Sequence, residues 1–70
     1  EVIKMPVNVL KIKWNMRYHE VKDDRDRLLY LMNDFFLAHK IEIEIGLPWY
    51  RNFYEKVMNR YEELCEQVAV

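Results

Sequence analysis

"LKIKWNMRY", residues 10–18, alternates apolar and polar side chains without a break. Leu10, Ile12, Trp14, Met16 and Tyr18 fall on one parity; Lys11, Lys13, Asn15, Arg17 and then His19 fall on the other. Side chains of an extended chain point alternately to opposite faces, so this spacing predicts a β-strand over residues 7–18. Val7 and Val9 are out of phase with it, which predicts a bulge near residues 9–10.

A second stretch repeats the pattern with the opposite charge. In "KIEIEIG", residues 40–46, Ile41, Ile43 and Ile45 alternate with Glu42 and Glu44. It reads as a short strand that Gly46, the only glycine, brings to an end. Between the two, "DRLLYLMNDFFLAHK" reads as a helix reaching about His39. Asp23 or Asp24 serves as its cap, acidic groups occupy its first turn, and His39 lies at its favourable cationic end. Its apolar residues, Leu28 to Met32 and Phe35 to Leu37, cover more than one face, so the helix is expected to touch something on two sides.

A second helix is expected from Pro48, whose missing N–H costs nothing in a first turn, to about Val68. Tyr50, Tyr54, Val57, Tyr61, Leu64 and Val68 repeat at intervals of four and three along it, a heptad-like seam. The order strand, helix, strand, helix implies a right-handed crossover. The fold class expected is therefore α/β: a two-layer βαβα domain spanning residues 1–70, with both helices on one face of a short sheet. A strand from residue 7 to 18 is about 40 Å long, more than a globule of this size shelters. Two or three strands also make a marginal sheet. Both points lead to a homodimer that completes the sheet through the first strand.

Composition narrows the function classes. The chain has 70 residues, 51% of them apolar and 14% aromatic, with 11 basic and 12 acidic side chains. Disorder is excluded by that apolar content, and the near-neutral charge argues against a dedicated nucleic-acid binder. The charge is unevenly spread: residues 1–22 hold five basic and two acidic groups, residues 41–70 three and six. Serine and threonine are absent, which removes hydroxyl nucleophiles other than tyrosine, and one glycine cannot build a phosphate-binding loop. Cys65 is the only cysteine and reads as a core thiol in a reducing, cytoplasmic setting. His19 and His39 lack metal-ligand spacing. No apolar run is long enough to cross a membrane. The chain opens on Glu1 rather than Met, as a piece cut from a longer protein would.

The reading that follows is a small, non-enzymatic protein–protein interaction or regulatory module, homodimeric, with no cofactor, metal or small-molecule substrate. Its interface is placed at Trp49, Tyr50, Phe53, Tyr54 and Tyr61 on the second helix, with Leu10 and Ile12 on the first strand. The alternative is a nucleic-acid-binding regulator using Lys11, Lys13, Arg17 and His19 on the first strand's polar face, although Trp14 and Tyr18 point the other way. A third reading is an engineered or selected sequence without a natural role.

Overall fold

In a computed structural model, which describes residues 7–68, every regular element is a helix. The helices are α1 (Val7–Val21), α2 (Arg25–Ala38), α3 (Lys40–Glu44) and α4 (Pro48–Val68). No strand occurs among the described residues, so the expected α/β fold, its sheet and a dimer formed by strand pairing are all corrected. The expected extension of residues 2–5 and the role of Pro6 lie outside the described residues.

The misreading of residues 10–18 has a geometric cause. A period of two contains a period of four, and positions i, i+4 and i+8 share a helix face. Leu10, Trp14 and Tyr18 lie on that face, and Val21 extends it by a further three residues. Trp14, Tyr18 and Val21 are buried, with Leu10 packed against them. Ile12 and Met16, the other half of the apparent stripe, are 56% and 58% exposed. A helix of fifteen residues rises only about 22 Å, so the expected overhang disappears, and with it the geometric case for a dimer.

"KIEIE" is likewise a single helical turn and a half. Its end satisfies two orphan carbonyls: Gly46 N–H donates to Ile43 O at 3.1 Å and Leu47 N–H to Glu42 O at 3.0 Å. That is a Schellman closure, which needs a left-handed residue, and Gly46 supplies it at φ +80°. Pro48 then opens α4 as expected. At the other end of the chain of helices, the Asp24 side chain caps α2 by accepting from Arg27 N–H at 3.2 Å.

The three longer helices run up, down and up. Trp14 meets Phe35 and Arg17 meets Asp34, so α1 and α2 are antiparallel. Phe35, late in α2, meets Trp49 at the start of α4, while Arg25 and Asp26 at the start of α2 lie beside Leu64 and Gln67 near the end of α4, so α2 and α4 are antiparallel as well. Tyr18 meets Phe53, closing α1 onto α4. The core they enclose is Trp14, Tyr18, Val21, Leu28, Leu31, Phe35, Phe53, Val57 and Leu64, and no polar residue is buried among the described ones. Phe35 is its centre: the ring stands edge-on to Trp14 at 5.0 Å and lies 4.7 Å from Phe53, centroid to centroid. Edge-to-face and offset pairs at these distances add to what burial alone contributes.

Candidate interaction surface

The outer face of α4 is what a solvated helix should show. Asn52, Glu55, Asn59, Glu62, Glu63 and Glu66 are exposed there, with no large apolar side chain among them. The outer faces of the other helices differ. On α1, Val9, Ile12 and Met16 stand at i, i+3 and i+7, opposite the core-facing residues, and are 43%, 56% and 58% exposed. On α2, Tyr30 and Leu37 are two turns apart and 71% and 76% exposed. Ile41 of α3 and Ile45, its C-cap, follow Leu37 at successive steps of four. Both are exposed.

The second side of contact expected for α2 is thus real in part: Leu29, Met32 and Phe36 are half-buried, whereas Tyr30 and Leu37 face solvent. The structure puts most of the aromatic set of α4 elsewhere. Phe53 is buried, and Trp49, Tyr50, Tyr54 and Tyr61 are half-buried and packed on the core. Trp49 stacks on Phe53 at 5.2 Å, with Lys11 Nζ 5.5 Å from the Trp49 ring centre. Leu10 also joins the core, and Ile12 alone of that group is open to solvent.

The basic residues are not gathered on one face. At 100° per residue, Lys11 and Lys13 project from nearly opposite sides of α1. Arg17 lies over the Trp14 ring at 5.0 Å and pairs with Asp34 at 2.9 Å, while Lys13 and His19 are exposed. The strand face that would have aligned the four is absent.

Two surface hollows accompany the bundle. One, of about 410 Å³, is lined by Asp23, Asp24, Arg25, Asp26, Leu64 and Gln67. Its Asp23 is engaged by Arg60 at 2.6 Å. The other, of about 350 Å³, lies where α3 meets α4 and is lined by Ile43, Glu44, Arg51, Tyr54, Glu55 and Met58. Among the described residues no group of three or more His, Cys, Asp or Glu side chains is arranged to hold a metal ion, and no helix is long and apolar enough to cross a membrane. Cys65 is half-buried rather than a core residue. Its side chain, one turn on from Tyr61, holds the Tyr61 phenol above its ordinary value. Burial does the same for Tyr18, with Arg60 opposing it.

No protein-family model, curated protein or solved structure matches this chain.

His39 has a role that spacing did not reveal. It is the C-cap of α2, as its position promised, but it serves there as a hydrogen-bond acceptor. Trp14 Nε1–H donates to His39 Nε2 at 3.2 Å, joining α1 to the α2–α3 junction. The signal in the sequence was the placement of a histidine, rather than lysine or arginine, between two apolar helical segments.

Proposed function

We propose that this chain is a small non-enzymatic interaction module that binds protein, a second copy of itself included, through the outer faces of α1 and α2–α3. One observation carries the reading: among the described residues the large apolar side chains left in solvent lie on those helices and on Ile45 and Leu47 just after them, while Asn52, Glu55, Asn59, Glu62, Glu63 and Glu66 make the outer face of α4 polar. Large apolar patches on a folded surface mark contact sites more often than single exposed residues do.

The magnitude is of the right order. Fully burying a residue of this kind removes about 60–120 Å² from water. The residues on α1, α2 and α3, with Leu47, are 40–76% exposed. Together they offer on the order of 400 Å². A standard interface takes ~800 Å² from each partner, somewhat over half of it apolar. Both stripes are needed to approach that figure, so a two-fold pairing in which each copy covers both stripes of the other fits better than contact through either alone.

Light scattering across a dilution series tests this on three variants. Ile12→Glu and Leu37→Glu place a charge in each stripe, whereas Glu62→Lys alters only the polar face of α4. The expected result is concentration-dependent association in the parent chain, lost in both stripe variants and kept in Glu62→Lys. Association that survives both stripe variants, or a parent chain monomeric at every concentration, contradicts self-pairing.

A further inference from the structure

His39 stands where α2 gives way to α3, with φ −129° and ψ 32°, outside helical values. Its side chain is only 12% exposed. The ring is held by aromatic neighbours from three helices: Trp14 of α1 at 5.8 Å, Phe35 of α2 at 5.2 Å and Tyr50 of α4 at 5.0 Å. One nitrogen, Nε2, accepts the Trp14 indole hydrogen. An accepting Nε2 has no hydrogen of its own, so the neutral ring must carry its hydrogen on Nδ1. That nitrogen is buried without a hydrogen-bond partner. It points towards Glu42 Oε1 on α3, 3.7 Å away, too far for a hydrogen bond but close enough for charge attraction.

We propose that His39 is a proton-operated coupling that ties α1 to the α2–α3 junction when neutral and exchanges that tie for Glu42 when charged. A proton from solvent added at Nε2 consumes the lone pair that Trp14 was using, and leaves two N–H donors facing each other. The same proton makes the ring a cation, whose Nδ1–H then attracts the Glu42 carboxylate. Glu42 is 34% exposed and free to close the remaining gap.

The other charged or titratable groups around the ring do not substitute for this pair. The Arg17 guanidinium lies over Trp14, one ring removed from His39, and is paired with Asp34. Lys40, next in the chain, lies 4.0 Å from Glu44. Tyr50 presents its ring to His39 at 5.0 Å, an aromatic contact and not an ion pair. Trp14 keeps its edge-on contact with Phe35 in either state. Protonation therefore loosens α1 without releasing it.

A proton and nitrogen NMR titration of the intact chain between pH 8 and 5 decides the matter. The Trp14 indole N–H resonance is expected to shift with the same midpoint as the His39 ring, and its exchange with water to quicken about five- to tenfold as one hydrogen bond is lost. His39→Gln keeps an acceptor without a titrating ring, so there the Trp14 signal should not respond to pH. Glu42→Gln removes the partner of the charged state and should lower the common midpoint. A Trp14 resonance unmoved by pH in the parent chain, one that still titrates in His39→Gln, or a midpoint indifferent to Glu42→Gln would each overturn the proposal.

Discussion

Arg60 Nη2 donates to Asp23 Oδ1 at 2.6 Å while Arg60 Nε donates to the Lys22 carbonyl oxygen at 2.8 Å. One guanidinium in the second half of α4 thus fastens the turn between α1 and α2, thirty-seven residues away in sequence from Asp23. Its planar fork serves both acceptors at once, which a lysine ammonium on a flexible stem does not reproduce.

Arg60→Ala is therefore expected to destabilise the chain by about 1–2 kcal/mol, mostly through the part-buried Lys22 carbonyl left without its donor. Arg60→Lys should recover little of that. Asp23 is 78% exposed, so Asp23→Asn should cost well under ~1 kcal/mol. Urea midpoints for the three variants check the order.

Phe35 and Leu37 lie two residues apart, and the helical register separates them completely: 0% exposed against 76%. Phe35→Ala removes the ring that Trp14, Phe53 and Trp49 share, and should cost ~3–5 kcal/mol. A domain of this length has only about 3.5–10 kcal/mol to lose, so the variant should be largely unfolded by circular dichroism. Leu37→Ala should stay within ~0.5 kcal/mol of the parent chain under dilute conditions.

Gly46 is needed for its backbone and not for space. A Cβ there meets nothing nearer than the end of the Arg51 side chain at 3.7 Å, but φ is +80°. Gly46→Ala is expected to lower stability by roughly 1 kcal/mol, Gly46→Val by more, and Gly46→Asn by less, since asparagine tolerates left-handed geometry. Thermal melts of the series test this ranking.

Burial raises the Tyr18 phenol above its ordinary value of 10.0. A group whose acid form is favoured in the folded state contributes stability in full below its unfolded pKa and loses it as the pH rises beyond. The chain should accordingly weaken above about pH 10, and Tyr18→Phe should remove part of that alkaline dependence. A urea midpoint measured between pH 8 and 11 for both proteins shows whether it does.

How far the sequence foretold this depended on the length and chemistry of each segment. Both ends of α4, a cap at Asp23 or Asp24 and the end of α2 near His39 were legible, because each rests on a local rule about capping or proline; Gly46 was expected to end a strand and instead closes a helical turn. Residues 10–18 were not, because alternation satisfies strand and helix templates alike. Two features favoured the helix. Leu10, Lys11, Lys13, Met16 and Arg17 are good helix formers with only Ile12 β-branched among residues 10–18, and Val21 follows Tyr18 at three residues rather than two. The aromatic residues of α4 drew attention as an interface, yet most of their area faces the bundle's interior, and the side chains left in solvent are aliphatic ones on other helices.

The most direct test is residue-resolved NMR of the whole chain, recorded from high to low concentration. The account predicts helical carbon shifts across residues 7–21, and concentration-dependent signals at Ile12, Met16, Tyr30 and Leu37 but not at Glu62 or Glu66. Extended shifts at residues 10–18, or signals at the two stripes that ignore concentration, would contradict it.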